Sequence, residues 1–223
     1  MPRRRKPPHR DTAESGIVAE SGIVNADGKA PAEDAAADWQ MDVPEGWVFW
    51  EPGEVTAAEL ADTATTTARA ARSLARRIAV VEKEVALVHG DVRQVGLRAA
   101  EPATGTVSAS MRMTHWLRPL SGGKALNARR HLDDLESADP DTDRVFQHRE
   151  QSIVKVPAGQ LVLRNEISRL KRRVGTTVQL VTTLFPNGTS SIFEVTMTSK
   201  YMELQPELMA ELSLMTHSFR TRP

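Results

Sequence analysis

Asp139, Asp141, Asp143 and Glu150 occupy the first, third, fifth and twelfth places of the segment DPDTDRVFQHRE. An EF-hand loop uses those places for oxygen ligands, because Ca²⁺ takes six to eight hard oxygens in a flexible ring. Phe146 stands in the customary apolar eighth place, but Arg144 stands where such a loop needs a glycine for its sharp turn. An acidic, solvated turn around Pro140 is the competing account. No cofactor is expected, and Ca²⁺ is the metal that this loop pattern would hold if it held one. The six histidines show no HExxH spacing, although His131 beside Asp133 and Asp134 has ligand-type side chains on a charged helix face. No GxSxG motif and no Gly-rich phosphate cradle occur, so nothing in the spacing names a reaction. Catalytic groups drawn from distant positions escape such a scan.

Trp39, Trp47 and Trp50 are three of the four tryptophans, and Phe49 lies among them. Aromatics make up only 4% of the chain, so the cluster is far from even spacing. Large aromatics bury much area at small rotamer cost and dominate binding hot spots. The cluster therefore reads as a partner-docking motif, with a short strand Trp47–Trp50 folded back on the protein's own core as the alternative.

The charges are segregated. The chain has 223 residues, with 29 Lys plus Arg balanced by 29 Asp plus Glu. The first ten residues carry five bases (Arg3, Arg4, Arg5, Lys6, Arg10) and no acid, whereas residues 11–54 carry eleven acids and one base. The C-terminal third is basic, with Lys171, Arg172 and Arg173 adjacent. Two basic clusters on a neutral chain motivate a nucleic-acid-associated regulator as the alternative function, using Arg3, Arg4, Arg5, Lys6, Lys171, Arg172 and Arg173. No apolar run approaches the roughly 20 residues of a spanning helix, so no membrane role is expected. No apolar stretch follows the arginines, so an export signal is not read there and a cytoplasmic location is expected. With no cysteine, a disulfide scaffold is excluded.

Residues 1–54 read as a disordered tail ending in the Trp-rich segment, since little there can offset the entropy of ordering. Over 55–100 the residues Leu60, Ala64, Thr67, Ala71, Leu74, Ile78, Val81, Val85, Val88, Val92 and Val95 step 4, 3, 4, 3 without a slip. Such a pattern predicts one long coiled-coil-like helix, self-associating through Leu74, Ile78, Val81, Val85, Val88 and Val92. Thr56 followed by Glu59 predicts a capping box at its start. Residues 101–223 read as an α+β module. It holds a strand over Thr106–Met113, a helix over 124–136 and a strand over Ser152–Val156. A helix over Ala158–Val174, a hairpin Val178–Phe185/Ser191–Thr198 and a last helix from Pro206 to about Phe219 complete it. The fold class is thus α+β. The expected function is a non-enzymatic oligomeric adaptor that associates with itself through the heptad helix and with another protein through the tail and module.

Overall fold

From Asp91 onward, polar and apolar side chains alternate over runs far longer than a turn, and most of those runs become strands. The computed structural model describes residues 39–88, 90–118, 120–121, 124–138, 143–171 and 175–221. The elements in chain order are β1 (Trp39–Gln40), β2 (Trp47–Trp50), α1 (Ala57–Ala64), α2 (Ala68–Val85), β3 (Asp91–Glu101), β4 (Thr106–Leu117), β5 (Leu120–Ser121) and β6 (Lys124–Ala125). There follow α3 (Ala128–Ser137), β7 (Arg144–Val156), β8 (Gly159–Leu170), β9 (Thr177–Pro186) and β10 (Ser191–Ser199). A 3-10 turn at Met202–Leu204 leads into α4 (Gln205–Ser218) and β11 (Arg220–Thr221).

Seven strands form one antiparallel sheet in the order β2-β3-β4-β10-β9-β8-β7. Period-two alternation sends its side chains to two different covers. Met111, Met113, Leu180, Phe193, Val195 and Met197 point to one face and pack with Leu208, Leu212 and Met215 of α4. The opposite face is covered in two places. Trp50, Val95 and Leu97 lie under α1 and α2, while Val162, Phe185 and Ile192 lie under Ala128 and Leu132 of α3. The central strands between these two covers carry a polar floor.

The long heptad helix over 55–100 is not formed, and the fold is mostly β rather than α+β. Two short helices and a strand occupy that stretch. Thr65 and Thr67 adopt extended backbone, which suits β-branched residues, and Thr67 caps α2 by accepting from Ala70 N–H. The Thr66 N–H donates to Pro102 O and the Thr67 hydroxyl to Ala103 O, tying the break to the β3–β4 turn. Gly105 in that turn has φ +67, and a side chain there would sit 2.4 Å from the Ala70 carbonyl oxygen, so α2 can approach only a glycine. Beyond Val85 the pattern continues by coincidence. Val92 and Val95 belong to β3, where a bulge between Val92 and Gln94 disturbs the strand period.

The coiled coil is overturned with it. Leu74, Ile78, Val81 and Val85 are buried against Trp50, Val95 and Leu97 of the same chain, so the seam has no face left for a second copy. Val88 lies just past α2 and is half-buried. A narrow apolar stripe satisfies a sheet as well as it satisfies a partner helix. The expected helix over 158–174 is also corrected. The 4-3 spacing of Leu163, Ile167 and Leu170 falls in β8, whose backbone pairs with β7 on one side and β9 on the other. Val174 of that expectation lies outside the described residues.

The capping box does form, at the start of α1: Thr56 accepts from Glu59 N–H and Glu59 accepts from Thr56 N–H. Thr56→Ala is expected to cost about 1 kcal/mol of stability. Equilibrium urea unfolding checks it, and a loss below about 0.3 kcal/mol would show that α1 needs no cap.

Candidate functional site

The predicted site residues are scattered. Trp47 and Trp50 are buried and face opposite sides of the sheet, because they stand three apart on β2. The Trp47 indole N–H donates to Glu211 of α4, and the Trp50 indole N–H to Glu82 of α2. Trp39 is half-buried and stacks on Phe219, 6.3 Å between centroids. Asp139 and Asp141 lie outside the described residues, as do Arg3, Arg4, Arg5, Lys6, Arg172 and Arg173. The Asp143 carbonyl accepts from Lys171 N–H beside the start of β7. Glu150 is exposed in the middle of that strand. Seven residues of strand separate the two acids by about 23 Å, so Asp143 and Glu150 do not meet. Among the described residues no group of three or more His, Asp or Glu side chains is placed to hold a metal ion. Lys171 is exposed.

The tertiary structure assembles one constellation that no motif announced. Ser191 Oγ lies 3.0 Å from His115 Nε2, and His115 Nδ1 lies 3.6 Å from Asp91 Oδ2. The three come from β10, β4 and β3, and register places His115 opposite both Asp91 and Phe193. Serine, histidine and aspartate in that order are the parts of a nucleophilic triad. Here the serine and histidine are buried in the sheet, while Asp91 is exposed at its rim. Ser191 is 1% exposed, its N–H is taken by the Thr189 hydroxyl, and Asp91 is held by Arg93 at 2.6 Å. The His115 ring also packs on Phe193. A nucleophile needs an open face for its substrate, and Ser191 is buried.

The open polar surface lies beside α2. One groove of about 230 Å³ is lined by Arg77, Glu84 and Val85 above and by Arg112, Gln179 and Thr196 below. A second, of about 480 Å³, shares Arg77, Ser110 and Thr198 with it and reaches Ser73, Lys200 and Tyr201. Together they make one trough along the helix. Register explains the floor. Arg112, Thr196, Val181 and Arg164 stand side by side across β4, β10, β9 and β8, and Thr114, Glu194, Thr183 and Val162 form the next row. The Arg112 side chain makes no hydrogen bond with any described group, and its Nε is buried without an acceptor. Glu166 is held by Arg149 at 2.8 Å, and His131 Nε2 lies 3.2 Å from the Thr183 hydroxyl. Burial, helped by Arg164 and against Asp134, lowers the His131 pKa. A hydroxyl-lined trough whose Arg112 guanidinium makes no hydrogen bond can hold a polar or acidic segment.

Burial raises the Glu194 carboxyl above its ordinary value, against the pull of Arg164 and Arg112 and a hydrogen bond from Thr196. The folded protein thus holds this proton more tightly than the unfolded chain does. The resulting stabilisation is full below the unfolded carboxyl pKa and is lost as pH rises through the higher folded one. Glu194→Gln should remove that loss, narrowing the fall in melting temperature between mildly acid and neutral pH. Identical pH profiles for parent and variant would count against it.

The signals for this trough in the sequence were weak. Alternating Ser, Arg and Thr positions in β4 and β10 read only as the solvent face of a half-buried strand. Comparisons with known proteins add little. No family model matches the chain, and no curated protein matches it. Among solved structures, the crystal structure of LpqN, involved in cell envelope biogenesis of Mycobacterium tuberculosis, is similar over 86% of this chain and 88% of that one. The two are 8% identical with a TM-score of 0.44, too distant to carry a functional inference. No helix among the described residues is long and apolar enough to cross a membrane.

Proposed function

We propose that this protein is a non-enzymatic adaptor that docks a polar or acidic segment of another protein in the trough beside α2. The observation that supports it is Arg112, a half-buried guanidinium on the trough floor with no hydrogen-bond partner in the described fold. Arg77 and Lys200 add exposed cations along the same trough, while Ser73, Ser110, Thr196 and Thr198 add hydroxyls. An acidic segment would bring the missing acceptors. A photo-crosslinking residue placed at Arg77 and at Tyr201 tests this in cells. The same partner peptides should be trapped from both positions and lost on Arg112→Gln. Capture that Arg112→Gln leaves unchanged, or different partners at the two positions, would sink the reading.

Self-association belongs to the proposal on a different surface. β7 is an edge strand of 13 residues, paired only with β8 among the described strands. Its outer backbone groups can accept a second copy by strand addition. Light scattering that finds a monomer overturns this part. The nucleic-acid alternative stands on sequence alone, and binding that does not weaken with salt would remove it. A cytoplasmic location is also proposed, and fractionation that recovers the full chain with the envelope would overturn it.

A further inference from the structure

A separate pocket of about 430 Å³ opens where the β9–β10 turn meets the start of α3. Arg118, Asn127, Lys155, Gln160 and Asn187 line it with their polar side chains, and no carboxylate stands among the described lining residues. Arg118 is the unusual member. It is half-buried, yet it forms no ion pair with any described acid. One terminal nitrogen donates to the Pro186 carbonyl, and the guanidinium lies 5.8 Å from the centre of the Phe185 ring. Its Nε is buried without an acceptor. The backbone is pinned as well, since Arg118 N–H donates to Ser190 O at 2.7 Å. The guanidinium is therefore held in place with part of its donor fork unused.

A half-buried cation without an ion pair carries a desolvation cost that a bound anion would offset. Burial lowers the Arg118 pKa, in keeping with that missing partner. Lys155 is exposed on β7 and brings a second positive charge to the same pocket. Asn127 and Ala128, the cap and first residue of α3, also line it, so the positive end of that helix faces the cavity. The planar fork of an arginine suits two oxygens of one group, and the lysine supplies a mobile point charge.

We infer that this pocket is a binding site for an oxyanion, a phosphoryl or carboxylate group on a small ligand, with Arg118 and Lys155 as its counter-charges. The site is distinct from the trough beside α2, with which it shares no lining residue. Calorimetric titration of the full chain at fixed ionic strength tests it, with inorganic phosphate in one arm and acetate in the other. Heat of binding that saturates in the millimolar range or below is expected in at least one arm. Arg118→Gln and Lys155→Gln should each weaken it by about tenfold. Arg77→Gln, in the other groove, should leave it unchanged. Saturation by phosphate alone assigns a phosphoryl ligand, and by acetate alone a carboxylate. No saturation in either arm overturns the site, as does binding that neither variant weakens. Lys155→Gln alters only an exposed side chain, so the test survives if Arg118→Gln does not fold. Loss of partner crosslinking with phosphate binding intact would remove the adaptor reading and leave this site standing.

Discussion

Ile78→Ala is expected to lower the stability of the chain by about 3 kcal/mol and to leave any dependence of the melting temperature on protein concentration as it is in the parent. Ile78 and Leu74 are both fully buried, on the face of α2 that covers Trp50, Val95 and Leu97. Removing three carbons there takes away their transfer free energy and leaves a cavity that a helix lying on a sheet cannot readily close. In a coiled coil the same substitution would weaken a dimer, and dilution would then lower the melting temperature. The α2 seam is filled from within the chain, so dilution should affect the variant no more than the parent. Thermal unfolding at two concentrations about a hundredfold apart reads the difference. Val80→Ala, on the exposed side of the same helix, serves as the control and should change stability by less than about 0.5 kcal/mol. A dependence on dilution that Ile78→Ala makes steeper than in the parent would restore a self-associating seam and refute the packing described.

Glu211→Ala should cost about 3–5 kcal/mol, more than the paired replacement Arg98→Met with Glu211→Leu. Glu211 accepts from the Trp47 indole N–H at 2.9 Å and from Arg98 Nε at 3.1 Å. The Arg98 side chain is 15% exposed and that of Glu211 13%, so both are largely out of water. Arg98 also reaches Glu207, itself exposed, and Ser108. These bonds fasten α4 to the β2–β3 edge of the sheet. Removing only the acid leaves a buried guanidinium with its weaker partner and an indole N–H with none. Removing both charges leaves apolar side chains of similar size beside Trp47; the indole N–H is orphaned in both variants, but the cost of an unpaired buried charge is gone. Chemical denaturation of the two variants decides the matter. A single variant no worse than the pair would show that the network is solvated and does not fasten α4.

Much of the C-terminal half is legible in the residue order. β9 and β10 follow from β-branched and aromatic runs joined through Pro186-Asn187-Gly188, and α4 follows from Pro206 with Leu208, Leu212 and Met215. The Thr106 strand is legible from the alternation of Val107, Ala109, Met111 and Met113, and it runs on to Leu117. Periodicity failed where two periods overlap. Between Leu60 and Val95 a 4-3 pattern fits one helix, yet it also fits two helices and a strand whose apolar residues share one core. Between Leu161 and Leu170 the apolar residues satisfy periods of both 2 and 3.6, and pairing with strands on both sides decided for the strand. The trough, the Ser191–His115–Asp91 trio and the Arg118 pocket left no trace of spacing. Each draws on residues tens of positions apart, which only the sheet register brings together.

By itself the amino-acid sequence determined the local features: the Thr56–Glu59 box, the hairpin turn, the last helix, and a neutral total made of opposed charge blocks. These depend on neighbours a few residues apart, where sterics and short hydrogen bonds settle the outcome. Tertiary structure alone decided what the apolar stripe of α2 covers, which tryptophans stay inside, and which arginines are left without an acid. Burial is a property of what comes to lie on top of a residue. A leucine seam is equally apolar whether a sheet or a second helix covers it, and an arginine is equally charged beside a glutamate or a cavity. Only the strand order and register choose between them.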